Sequence, residues 1–218
     1  GYRAAIMYNS DLMPAKIHGL VLAAGLSRRM GTFKQLLPFG GRTVVESVVG
    51  AVQDGGVDAL TVVLGHRADE VREVLAPLNV ATVVNEAYRE GMFTSVLCGL
   101  RQVASADAVL LALVDQPQIS ASIVKAVIDS FRGGKAGIVI PVFGGKRGHP
   151  IVLDLPRYRV EIEGLTGEEG LKPVVRGHIE DTLELLIEDE RILRDLDTPE
   201  DYERELALLR NSDSKDAS

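Results

Sequence analysis

The chain has 218 residues, 46% of them hydrophobic, a formal charge of −7 and one cysteine, Cys98. That length suits one domain with a sizeable core and leaves two full domains tight. The acidic balance without a basic stripe argues against a nucleic-acid surface, the lone cysteine excludes an internal disulfide framework and fits a reducing cytoplasm, and no apolar run approaches membrane-spanning length. In chain order, residues 1–16 lack the apolar core of a signal peptide and are expected to form a flexible leader. Ile17 to Ala24 reads as a strand buried on both faces of a parallel sheet, ended by Gly25. Thr43 to Gln53 reads as a helix whose N-cap Thr43 and Glu46 make a capping box. Ala59 to Leu64 is a second buried strand, Ala68 to Leu75 a helix, and Ala81 to Val84 a short strand. Thr94 to Gln102 is expected as a helix opening at the turn GMFTS, and Ala108 to Val114 as a wholly apolar strand. Ser120 to Phe131 is another helix, and strands follow at Gly137 to Pro141 and Ile151 to Leu153. This alternation implies an α/β fold, a single Rossmann-like three-layer domain over residues 17–210 with a mainly parallel, partly mixed sheet. Residues 211–218 are expected to fray as a flexible tail.

The segment Leu22 to Lys34, LAAGLSRRMGTFK, follows the first strand. Its small or flexible positions Ala24, Gly25, Ser27 and Gly31 let backbone amides approach a ligand, and Arg29 and Lys34 add fixed positive charge. Together they suit a triphosphate. Neither GxGxxG nor GxxxxGK[ST] occurs there, which disfavours the dinucleotide-binding and P-loop readings. Asp115 ends the apolar strand at 114, where ligands of open α/β sheets collect. It reads either as a turn-former before Pro117 or as a ligand of Mg²⁺, which prefers one or two carboxylates plus phosphate oxygens. Asp197 sits before a helix start at Thr198-Pro199, and ordinary cap chemistry is its alternative role. Ser95, at the head of a helix, is the candidate for the nucleoside end. Cys98 reads as a small core residue, His66 and His178 as surface groups, and neither zinc spacing nor a GxSxG nucleophile elbow is present.

The first loop resembles the signature loop of the nucleotidyltransferases related to the molybdenum cofactor guanylyl- and cytidylyltransferases. The likeness continues in order through GMFTS, Asp115-Gln116-Pro117, Arg147-Gly148-His149-Pro150 and Asp195-Leu196-Asp197-Thr198-Pro199-Glu200-Asp201, as in the cytidylyltransferase-like branch. This resemblance implies that Leu22, Ala23, Ala24, Gly25 and Ser27 wrap the triphosphate of a nucleotide while Arg29 and Lys34 contact it. It also implies that Asp197 joins Asp115 at the cation, Asp195 being the less favoured acid, and that Arg147 and His149 face the acceptor. Ala24, where the guanylyl branch has glycine, implies CTP. The implied reaction is in-line attack by the terminal phosphate of molybdenum-molybdopterin on the α-phosphate of CTP, with a molybdenum hydroxylase apoenzyme as a further partner. Guanylyl transfer, a sugar-phosphate acceptor and a non-catalytic molybdenum cofactor chaperone are the alternatives.

Overall fold

The computed structural model describes residues 13–216. An eight-stranded sheet runs in the order β10-β7-β9-β6-β1-β4-β5, with β8 paired to β7 at one end. Its strands are β1 (Ile17–Leu22), β4 (Ala59–Leu64), β5 (Ala81–Val84), β6 (Ala108–Leu113), β7 (Ile138–Phe143), β8 (Lys146–Arg147), β9 (Ile151–Asp154) and β10 (Thr182–Leu186). A separate two-stranded hairpin, β2 (Pro38–Phe39) with β3 (Arg42–Thr43), follows the first loop. Strand β1 pairs in parallel with β4 and with β6, while β9 runs antiparallel to both β6 and β7. The mixed sheet therefore arises from one reversed strand, β9, inside a parallel array, with the short β8 also antiparallel against β7.

Alternation along the strands fills two cores, one on each face of the sheet. Ile17 and Val21 of β1 and Ala108, Leu110 and Ala112 of β6 face α1 (Val44–Asp54), α2 (Ala68–Leu75) and α4 (Ala121–Gly133). Leu20 and Leu22, with Val109 and Leu111, face α3 (Met92–Leu100), α5 (Leu155–Glu163) and α6 (Lys172–Gly177). The result is the three-layer α/β arrangement. Helix α1 starts as its sequence dictates: the Thr43 hydroxyl accepts from the Glu46 amide and the Glu46 carboxylate accepts from the Thr43 amide. Strand β1 stops at Leu22, earlier than the apolar run suggests, although the Ala23 amide still donates to Val63. After that bond the chain leaves the sheet as the first loop.

Helices α5 and α6, strand β10 and the β2–β3 hairpin carry weak periodic signals and emerge only in three dimensions. The closing helix α7 (Pro199–Asp216) continues past Arg210, where the sequence reading ends the domain, and most of the expected leader lies outside the described residues. Among the described residues no helix is long and apolar enough to cross a membrane.

Candidate active site

The carboxyl ends of β1 and β6 open onto a cleft of about 150 Å³ lined by residues that include Ala24, Gly25, Lys34, Tyr88, Ser95 and Asp115. Three segments far apart in sequence thus meet where a parallel sheet ends. The first loop supplies backbone donors. The amides of Ala24, Gly25, Leu26 and Ser27 find no acceptor among the described residues, so they are available to an anionic ligand. Ala23 is used up inside the fold, its amide on Val63 and its carbonyl on Gln35.

Gln35, which the sequence reading passes over, holds this loop from behind. It is fully buried, its amide nitrogen donates to the carbonyls of Ala23 at 3.2 Å and Gly25 at 2.9 Å, and its carbonyl accepts from the Ser27 hydroxyl at 2.8 Å. Ser27 in turn accepts from the Lys34 amide at 3.2 Å and sits at φ 53°, a left-handed conformation that non-glycine residues adopt infrequently. Its place two positions from the glycine turn gave no periodic signal. Gly65, at the end of β4, lets this loop come close: a Cβ there would lie 2.8 Å from the carbonyl oxygen of Ala24.

Lys34 enters a mostly buried position and points its ammonium at the carboxyl side of the cleft. Its Nζ donates to the Leu196 carbonyl at 2.8 Å and stands 3.6 Å from Asp115 and 3.8 Å from Asp197. Arg29 is exposed and closes the cluster at 3.0 Å from Asp197. The backbone links the same parts, since the Leu196 amide donates to the Asp115 carbonyl at 2.8 Å. Burial pushes the Asp115 carboxyl up to about 6; Lys34 opposes that rise, and Asp195 and Asp197 add to it. One oxygen of Asp115, Oδ1, is buried without a hydrogen-bond partner. Asp195 turns aside, accepting from Gln116 at 2.7 Å. No group of three or more His, Cys, Asp or Glu side chains suited to a metal occurs among the described residues. A cation here would therefore be held by two carboxylates, and an orphaned carboxylate oxygen fits a hard cation that takes its remaining ligands from phosphate and water.

Ser95 reaches the cleft from the first turn of α3 and is almost fully buried. A second, larger cavity of about 390 Å³ adjoins the first, and Leu22, Met92 and Leu113 line both. Its walls are largely apolar, with Arg147, His149, Lys172 and Arg176 among the lining residues. Arg147 pairs with Glu184 of β10 at 2.7 Å, so its guanidinium is already partly engaged. Burial lowers the pKa of His149, against a smaller opposing pull from Asp195, which favours a neutral imidazole. Gly148 is required by packing, because a Cβ there would meet the Ile192 carbonyl oxygen at 2.3 Å.

The two histidines expected on the surface have partners. His66 packs between Phe33 and Tyr88, with ring centroids 5.5 and 6.2 Å away, and Tyr88 lines the cleft. His178 bonds Glu161 at 2.7 Å and lies against Tyr158. Cys98 is half-buried beside the second core, where burial raises its thiol pKa.

Residues 19–183 match the MobA-like NTP transferase domain family. The chain is 33% identical over 170 residues to nicotine blue oxidoreductase of Paenarthrobacter nicotinovorans, covering 73% of this chain and 81% of that one. It is 29% identical over 185 residues to the molybdenum cofactor cytidylyltransferase of Escherichia coli K12, covering 84% and 92%. The crystal structure of Rv0371c from Mycobacterium tuberculosis H37Rv superposes with a TM-score of 0.78 at 31% identity, over 89% of this chain and all of that one. The same protein as a complex with manganese gives 0.73 at 28% identity, over 88% and 98%.

Proposed function

The chain belongs to the MobA-like NTP transferase family, and on that premise we propose that it transfers CMP from CTP to the terminal phosphate of molybdenum-molybdopterin, releasing pyrophosphate. The observation that carries this reading is the cluster in which Lys34 stands within 4 Å of both Asp115 and Asp197, under a loop with unpaired amides. A protein that only carried a finished cofactor has no use for such a triphosphate cradle.

The triphosphate lies along the first loop, its oxygens taking the free amides of Ala24, Gly25, Leu26 and Ser27. Lys34 turns from the carboxylates toward the phosphates, and Arg29 adds a second positive charge that suits the departing pyrophosphate. Asp115 and Asp197 would hold Mg²⁺, the orphaned Oδ1 of Asp115 being the leading ligand atom; the manganese complex of Rv0371c supports a divalent cation in this fold. Bound Mg²⁺ neutralises charge on the phosphate oxygens and templates the displacement. The acceptor occupies the adjoining apolar cavity with its phosphate directed past Met92 toward the cleft, near Arg147 and His149. The acceptor phosphate is anionic near neutral pH, so positioning and charge stabilisation suffice and no general base is assigned. Ala24 and the cytidylyltransferase relative favour CTP over GTP. A molybdenum hydroxylase apoenzyme is the natural receiver of the product.

The test is pyrophosphate release by the purified protein with Mg²⁺ and molybdenum-loaded molybdopterin, comparing CTP, GTP, ATP and UTP, with the dinucleotide product weighed by mass spectrometry. CTP-selective release is expected. Release with GTP alone moves the protein to the guanylyl reaction, and oxidation of a reduced nicotinamide nucleotide with no pyrophosphate release overturns the transferase reading.

A further inference from the structure

We infer that Asn85, buried behind the cleft and touching no substrate, fixes the Ser95 hydroxyl as an obligate hydrogen-bond donor, so that the nucleoside group seated against Ser95 is a hydrogen-bond acceptor. This rests on the nucleotide reading above. The polarity follows from the bonds around Asn85, which is 4% exposed. Its side-chain carbonyl accepts from the Ala87 amide at 3.0 Å, a backbone donor that cannot be reversed, so the orientation of the side-chain amide is settled. Its Nδ2 must then spend its two hydrogens on the hydroxyls of Thr94 at 2.8 Å and Ser95 at 2.9 Å. Thr94 passes its own proton inward, to the carbonyls of Ala87 and Gly91 at 3.1 and 2.8 Å. Ser95 has no such outlet among the described residues. Its oxygen is occupied by Asn85, it is 3% exposed, and it lines the cleft beside Ala24 and Asp115. A buried hydroxyl with an unspent proton aimed into a ligand cleft rewards an acceptor and penalises another donor at the same place.

Two nucleoside groups offer that acceptor: the carbonyl of a pyrimidine base and the 2′ oxygen of the ribose. Both share the chemistry, and one series of binding measurements separates them. Calorimetry with Mg²⁺ and no acceptor would follow CTP and 2′-deoxy-CTP on the wild type, Ser95→Ala, Asn85→Asp and the double variant. Asn85→Asp reverses the polarity, because a carboxylate draws the Ser95 proton inward. Each single variant is expected to bind CTP about tenfold more weakly, the double variant no more weakly than either single one. If the Ser95→Ala loss vanishes with 2′-deoxy-CTP, the donor serves the ribose; if it persists, it serves the base. Should Asn85→Asp fail to fold, the Ser95→Ala series decides alone. Unchanged CTP affinity in Ser95→Ala, or additive losses in the double variant, overturns the inference while the nucleotide reading stands. A wild type that binds no nucleotide overturns that reading itself.

Discussion

At the scale of single residues, the site couples stability to function through Asp115. Its carboxyl titrates near 6 in place of the usual 3.8 because burial penalises the ionised form more than Lys34 rewards it. The sign follows from linkage: a carboxyl raised in the folded state favours folding below pH 4, and that contribution drains away as the pH climbs through 6. The ionised carboxylate at neutral pH is therefore a cost that the free protein bears. Asp115→Asn is expected to raise the unfolding free energy at pH 7 by up to about 3 kcal/mol, read from denaturant melts, and to remove the pH 4–6 decline. The same variant is expected to lower pyrophosphate release at least about a hundredfold, since charge stabilisation carries the proposed reaction. A variant that is neither more stable nor less active would show that Asp115 serves the turn before Pro117. Lys34 and Asp115 are legible from sequence because a cation closing a glycine-bearing loop and a carboxylate at a strand end restrict the chemistry. Gln35 and Asn85 are not, because an amide carries no signature until its partners are fixed.

At the scale of elements, the first loop works because something other than the ligand shapes it. Captured carbonyls on the inner side leave free amides on the outer side, and Gln35 makes two of those captures. Replacing it with leucine strands the Ala23 and Gly25 carbonyls and the Ser27 hydroxyl without their buried partner. We expect Gln35→Leu to cost about 1–3 kcal/mol of stability and to raise the KM for nucleotide about tenfold with kcat less affected, as loss of preorganisation predicts. Equal effects on both constants would place Gln35 in general packing. Strands β1, β4, β5, β6, β7 and β9 and the helices α1 to α4 are readable from period and caps, whereas β2, β3, β8, α5, α6 and β10 are not. Helix α6 is six residues long, and β10 is an edge strand with exposed leucines at 183 and 186, so neither shows the clean burial pattern that makes a period visible.

At the scale of the whole molecule, the segment from Arg191 to Glu205 folds back to complete the charged cluster around Lys34. Gln118 donates to the carbonyls of Arg191 and Arg194, the Ile192 carbonyl accepts from the His149 amide, and Leu196 bridges Asp115 and Lys34. Besides the contacts of Asp197 with Lys34 and Arg29, a buried ion pair anchors it: Glu205 of α7, 2% exposed, lies 2.8 Å from Arg194 Nε and accepts from its Nη2 at 3.1 Å. Removing Glu205 leaves Arg194 with Glu190 alone, an exposed partner at 2.8 Å, and a buried pair broken on one side is costly. Glu205→Ala is expected to destabilise the chain by about 3 kcal/mol and to reduce activity even where the protein is still folded, because Asp197 loses its placement. Full activity in a folded Glu205→Ala variant would show that Asp197 is held without this anchor.

The sequence by itself determined the residue kinds and the layer plan: alternating strands and helices impose an α/β sheet, and the order of the motifs restricts the chemistry at its carboxyl edge. Only the tertiary structure decided which groups remain available. Ala23, Thr94 and Asp195 spend their hydrogen bonds inside the protein, while Asp115 Oδ1, the Ser95 proton and the amides from Ala24 to Ser27 stay unspent. The physical reason is that hydrogen-bond satisfaction is a property of neighbours in space, and here those neighbours come from segments as far apart as Lys34 and Leu196.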